Sequence, residues 1–355
     1  MTVGVSAHGG IVDDEVVAVG LLPDAVLDFS VNVNPYGPCT EVLHAARTAP
    51  LDRYPDPTAM RARRAIGNWL DVPWERVFVG SGAAEILWGV ARAVLAPGES
   101  LLVAGPAFGE IRAAAARRGA RVVEHCDPPG ESLDIAAFQA LLGRERPRVA
   151  YVASPSSPGG VLASLDELAA LAEAYTTTQL VVDVSFLSLS DAPDELAVHR
   201  SNRILWVRSL TKELTVPGLR VGFAVGPPGL VAALAAERPP WSVSAPAEAV
   251  AVAAASDNVR CHVERARVRL VEDRQRLCER LSALGLRVYP SRAPYVLAAL
   301  DGRATGAELR MRLLRNHGIL VRDTASFGLP DHVRLAARPA AEVDRLIEAL
   351  ERELA

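Results

Sequence analysis

The sequence predicts an α/β protein with a mostly parallel central sheet in a large domain, followed by a smaller α/β unit. Short apolar runs alternate with amphipathic stretches from about residue 75 to residue 226. Their spacing is that of strand–helix units covering both faces of a sheet. A Pro-rich break at Arg238–Trp241 then separates this series from a second, shorter one. At 355 residues the chain is long enough to bury a substantial core in such an arrangement.

In chain order, residues 1–35 hold strand-like and turn-like pieces but no core of their own. They are expected to form an arm against the small domain and the active site. The large domain is expected over residues 36–245, with strands at Val77–Gly80, Leu101–Ala104, Arg121–Glu124, Val149–Ala153, Leu180–Val184, Ile204–Val207 and Val221–Val225. Helical patterns lie between several of them, at Ala84–Leu95, Ile111–Arg118 and Leu165–Tyr175. The small domain, residues 246–355, begins with a long helix from Asp257 to Leu284. Strand-like Val288–Pro290 and Tyr295–Leu300, a helix from Thr305 to His317, strand-like Ile319–Arg322 and His332–Ala336, and a helix from Ala340 onward follow. In an open parallel sheet, ligands sit at the carboxyl ends of the strands.

Half of the residues are apolar and 23% are charged, as in ordinary soluble domains. A net charge of -4 argues against nucleic-acid and membrane-surface partners. The start MTVGVSAHGG lacks a signal-peptide pattern, and no uncharged apolar run is long enough for a span, so a cytoplasmic location is expected. Cys39, Cys126, Cys261 and Cys278 show neither a CxxC pair nor metal-ligand spacing. They read as reduced core thiols, and no metal is expected.

The chain contains a single lysine, Lys212, against 37 arginines. An amine can lose its proton near neutral pH and attack a carbonyl, which a guanidinium cannot. Around it, Val207–Gly222 reads VRSLTKELTVPGLRVG, so Ser209, Thr211 and Arg220 surround the amine with phosphate-binding groups. Upstream, Gly80-Ser81-Gly82-Ala83-Ala84-Glu85 joins a strand to a helix. Its small residues let backbone N–H groups approach an anion at the helix N-terminus. Asp183 ends the apolar run Gln179–Asp183, where a carboxylate calls for a cationic partner such as a protonated pyridine nitrogen.

Together, Ser81-Gly82-Ala83, Pro106-Ala107-Phe108, Asp183, Ser209-Leu210-Thr211-Lys212 and Gly218-Leu219-Arg220 resemble the fold-type I pyridoxal-phosphate enzymes, nearly end to end. The branch most similar is that of histidinol-phosphate aminotransferase and threonine-phosphate decarboxylase. The resemblance implies pyridoxal 5'-phosphate as cofactor, held as a Schiff base by Lys212, which also shuttles protons. It further implies Asp183 on the pyridine nitrogen, Phe108 stacked on the ring, and Ser81, Gly82, Ala83, Ser209, Thr211 and Arg220 around the cofactor phosphate. Tyr54 matches a tyrosine that reaches into the neighbouring subunit, which implies a homodimer. Arg334 matches the arginine that grips a substrate carboxylate, and Arg322 one near a substrate phosphate.

Two positions depart from the pattern. Ser157, in Ser154-Pro155-Ser156-Ser157-Pro158-Gly159-Gly160, stands where an asparagine donates to the cofactor's phenolic oxygen. Phe186 stands where a tyrosine is common. Ser157 keeps a hydroxyl donor, with a reach that calls for a bridging water.

The opening His8-Gly9-Gly10, with Asn32 in Asp28–Pro35, resembles threonine-phosphate decarboxylases. There His8 and the glycine N–H groups would form a nest for a substrate phosphate. Decarboxylation of a phosphorylated amino acid, as in cobalamin synthesis, is therefore the expected reaction. An aminotransferase of the histidinol-phosphate type is the alternative, and a weakly active pyridoxal-phosphate-binding relative the second.

Overall fold

The computed structural model describes residues 9–194 and 197–354. Its strands are β1 (Leu27–Asp28), β2 (Val77–Gly80), β3 (Ser100–Gly105), β4 (Arg121–Cys126), β5 (Val149–Ala153), β6 (Gln179–Asp183), β7 (Leu205–Ser209), β8 (Gly222–Val225), β9 (Arg287–Val288), β10 (Tyr295–Ala299), β11 (Ile319–Leu320), β12 (Arg322–Thr324) and β13 (Leu329–Ala336). A seven-stranded sheet runs in the order β2-β8-β7-β6-β5-β3-β4, and only β8 is antiparallel to its neighbours.

This sheet is apolar on both faces, as its near-continuous Val and Leu runs require. Leu102, Ala150, Val152, Leu180 and Val182 belong to the core on one face. Leu101, Val103, Val149, Tyr151 and Val181 belong to the core on the other. Alternate residues thus serve opposite layers, following the two-residue period of a strand. Fully burying a Val or Leu contributes about 1.5–3 kcal/mol, against about 0.5–1.5 kcal/mol net for a ladder hydrogen bond. Burial on both faces therefore dominates the stability of this sheet.

A second sheet, β12-β13-β10-β9, is antiparallel throughout. One face packs on the helices Asp257–Ala283, Gly306–His317 and Ala340–Glu353 through Leu277, Leu281, Leu309, Leu313, Leu346 and Leu350. The Ser256 hydroxyl caps the first of these helices by accepting from the Val259 N–H. Thr305 and Glu308 form a capping box on the second.

The arm joins both parts. Its helix Asp13–Ala18 packs Val16 against Leu314 and Leu320, and the Glu15 carboxylate accepts both terminal nitrogens of Arg310. β1 then pairs in parallel with β11.

Two sequence expectations are corrected. Ile319–Arg322 is not one strand: β11 pairs with the arm, whereas β12 pairs with β13. A single apolar run carries no information on which partner each half meets. All four cysteines are free thiols, but Cys126 and Cys261 are exposed rather than core residues, whereas half-buried Cys39 and Cys278 pack against the cores. Cys126 ends the edge strand β4, and Cys261 lies on an outer face of the helix Asp257–Ala283. Among the described residues no helix is long and apolar enough to cross a membrane.

Candidate active site

The carboxyl ends of β3, β5, β6 and β7 open into a cleft of about 700 Å³ whose far wall comes from the arm and from β12 and β13. That volume lies within the roughly 300–1,000 Å³ usual for small-molecule sites. Lys212 follows β7 on the short helix Leu210–Glu213 and lines the cleft, with Nζ 4.7 Å from the centre of the Phe186 ring. Burial lowers the Lys212 ammonium below the usual lysine value, Asp183 opposes this, and Arg220 and Arg334 reinforce it. The amine therefore loses its proton more readily than an exposed lysine, as a nucleophile requires.

Asp183 ends β6, 8% exposed. Its Oδ2 accepts the Tyr151 hydroxyl at 3.1 Å, and its Oδ1 accepts the Ser185 N–H at 2.9 Å. Burial, then Asp183, raise the Tyr151 phenol well above its usual range, so it stays a donor. The sequence reading missed Tyr151. A tyrosine inside the buried run Val149–Ala153 is itself a signal, because a buried hydroxyl needs a partner.

Ser209 and Thr211 are buried, with hydroxyls 2.6 Å apart, and both line the cleft. Arg220 arrives from the other side in a left-handed conformation, φ 54°. Gly82, at φ 83°, opens the helix Gly82–Val94, and a Cβ there would lie 2.9 Å from Arg220 Nη2. Only glycine combines that backbone angle with so close a guanidinium. Hydroxyls, a guanidinium and a helix N-terminus around one corner form an anion cradle. A buried carboxylate and an amine stand beside it. These residues fit pyridoxal phosphate, with its phosphate, cationic ring nitrogen and aldehyde.

Arg334, on β13, is 8% exposed. Its Nη1 donates to Ser157 Oγ at 2.9 Å and its Nη2 to the Ser30 carbonyl at 2.8 Å. Its Nε–H has no hydrogen-bond partner among the described residues. Burial pushes the guanidinium down to about 10, still charged at neutral pH. Arg322 is 3% exposed, donates to Ser326 Oγ at 2.7 Å and lies 3.8 Å from the Asp323 carboxylate. It lines the cleft rather than the outer surface. Asn32 lines the cleft too, and its buried Oδ1 has no partner among the described residues.

Ala83, Phe108, Ser157, Asp183, Ser209, Thr211, Lys212, Arg220, Gly9, Asn32, Arg322 and Arg334 thus meet in one cleft. Ser81 and Gly82 are not in its lining, and the Ser81 N–H donates to the Glu85 carboxylate. Tyr54 is 77% exposed outside the cleft, stacked on Trp241 with ring centres 4.6 Å apart. His8 lies outside the described residues. Gly9 must be glycine, since a Cβ would sit 2.4 Å from the Ser30 carbonyl oxygen. The Gly10 N–H, however, donates to Ser30 Oγ at 2.8 Å. It is used inside the arm and is not part of a phosphate nest.

Fold and site together define a pyridoxal-phosphate-dependent enzyme. The sequence model of the family described as "Aminotransferase class I and II" matches residues 24–350, and the chain belongs to that family. A histidinol-phosphate aminotransferase from Anaeromyxobacter sp. is 33% identical, the match covering 93% of this chain and 91% of that one. One from Rhodospirillum centenum is 34% identical, covering 92% and 91%. The solved histidinol-phosphate aminotransferase of Sinorhizobium meliloti, in complex with pyridoxal 5'-phosphate, shares the fold with a TM-score of 0.87. It is 23% identical, over 100% of this chain and 98% of that one. These names correct the expected reaction: the relatives are aminotransferases, not threonine-phosphate decarboxylases. The His8-Gly9-Gly10 nest expected for decarboxylation also lacks the Gly10 N–H, which Ser30 Oγ engages.

Proposed function

We propose that this enzyme is an aminotransferase of the histidinol-phosphate type, moving an amino group from a phosphorylated amine to a 2-oxo acid. The observation that carries the reading is the meeting of Lys212, Arg322 and Arg334 in one cleft. Two buried guanidiniums are more cation than one carboxylate requires, and they suit a site that takes a phosphate in one half-reaction and a carboxylate in the other. The names of the relatives support the same choice.

When bound, the cofactor supplies an electron-withdrawing ring that loosens the bonds at the amine-bearing carbon. Lys212 would hold it and would move the proton at that carbon. Asp183 keeps a negative charge at the pyridine nitrogen, with Tyr151 and Ser185 fixing its orientation. Phe108 stacks on the ring. Ala83, Ser209, Thr211 and Arg220 would take the phosphate beside the helix that Gly82 opens, and Ser157 would take the phenolic oxygen. Arg334 receives a carboxylate and Arg322 a phosphate, with Gly9 and Asn32 closing the arm side. The enzyme works as a homodimer in which Tyr54 reaches the partner's cofactor phosphate. Its free thiols suit the reducing cytoplasm.

Holoenzyme incubated with L-histidinol phosphate and 2-oxoglutarate should form glutamate without releasing carbon dioxide. No glutamate from protein that carries its cofactor on Lys212 overturns the proposal.

A further inference from the structure

The arm that lines the cleft also grips the segment that carries Lys212. Asn34 is 1% exposed, and all four of its polar atoms are engaged. Its N–H donates to the Lys212 carbonyl at 3.0 Å, and its Nδ2 donates to the Glu213 carbonyl at 3.1 Å. Its carbonyl accepts the Thr215 hydroxyl at 2.9 Å, and its Oδ1 accepts the Tyr36 N–H at 3.0 Å.

These contacts answer two local problems. The helix Leu210–Glu213 is a single turn, in which the Leu210 and Thr211 carbonyls accept from the Leu214 and Val216 N–H groups and those of Lys212 and Glu213 are left to find partners outside it. Asn34 supplies a donor to each of these two. Thr215, two residues on, has φ 57°, a region that a β-branched residue occupies only at a cost. Its hydroxyl bond to Asn34 holds it there. At its other end the arm is fastened to the small sheet. Phe29 exchanges backbone bonds with Leu320 and Ala336, and the Ser30 carbonyl accepts from Arg334. Residues 29–34 therefore run from the carboxylate-binding arginine to the lysine.

We propose that Asn34 is a positioning residue for Lys212. By clamping the carbonyls of residues 212 and 213 and the left-handed Thr215, it holds the lysine turn so that the amine keeps its bearing on Asp183 and the cleft. This rests on the role of Lys212 proposed above.

Asn34→Asp keeps the shape and the acceptor for Tyr36 but sets an oxygen against the Glu213 carbonyl. Its kcat should fall about tenfold or more, with KM for the amino substrate changing less than about twofold. The pH midpoint of the visible absorbance of the Lys212-bound cofactor should shift as well. Thr215→Val should move both readouts the same way by less, and Thr215→Ser should restore them. Should Asn34→Asp fail to fold, the Thr215 pair decides alone. Wild-type kcat and midpoint in the folded variants, or a lowered Tm with both unchanged, overturn the proposal. Borohydride reduction and peptide mass of the wild type are read first. Cofactor missing from Lys212 there overturns the underlying reading instead.

Discussion

Arg322 and Arg334 are direct partners across the β12–β13 ladder, so two buried guanidiniums stand side by side on one face of the small sheet. Like charges in opposed positions destabilise a ladder. Burial lowers both guanidiniums, with Asp323 opposing it and Arg310 adding to it at Arg322, and Tyr295 opposing it and Arg322 adding to it at Arg334. A cost of this kind is retained where an anion arrives to offset it. Arg322→Ala should therefore erode the preference for L-histidinol phosphate over L-histidinol by at least about tenfold in kcat/KM, since a charge-assisted contact is worth about 1.5–3 kcal/mol. Steady-state kinetics on both amines decide this, and an unchanged preference removes Arg322 from the phosphate site.

Asp183→Asn should fold and bind cofactor yet lose at least about 10²-fold in turnover, the scale of removing one preorganised charge. Asparagine keeps an oxygen for the Ser185 N–H, and its NH2 can donate to the Tyr151 hydroxyl, so structure is preserved while the charge is lost. Turnover equal to wild type would make Asp183 purely structural.

Lys212 should react with free pyridoxal phosphate with a pH midpoint below the ordinary lysine value of 10.5, because burial disfavours its ammonium. The same shift affects stability. A buried cation with a lowered folded pKa imposes a penalty that is full below that pKa and relieved as pH rises through it towards the unfolded value. Lys212→Met apoprotein should thus melt above wild type at neutral pH, with the gap closing towards pH 10.5. A gap that widens with pH would contradict the assigned burial.

Tyr54, Leu51 and Trp241 expose apolar surface on one chain, at 77%, 81% and 47%. If this surface meets a second subunit, mixing inactive Tyr54→Phe and Lys212→Ala proteins should restore part of the activity through hybrid dimers with one intact site. Sedimentation should show a dimer at assay concentration. A fully active monomer excludes the role given to Tyr54.

Several features were legible in the chain alone. Val149–Ala153 and the long helix from Asp257 read correctly because a short continuous apolar run and a sustained helical pattern are local signals. Lys212, the sole lysine, stood out by composition, and Asp183 by an acid closing an apolar run. The cleft residues of the large domain each follow a strand of the parallel sheet, so topology brings them together.

Other features were decided only by packing. The division of Ile319–Arg322 between two sheets depended on the arm reaching β11. The pairing of Arg322 with Arg334 depended on the register of β12 against β13, which a run of residues does not encode. Tyr151 under Asp183, Ser157 on Arg334 and Asn34 on Lys212 are contacts across 32, 177 and 178 residues of chain. Local pattern determines which residues face a core and where elements begin. The partner of a buried polar group is chosen by the global arrangement that desolvates it, and that choice exists only once the chain has folded.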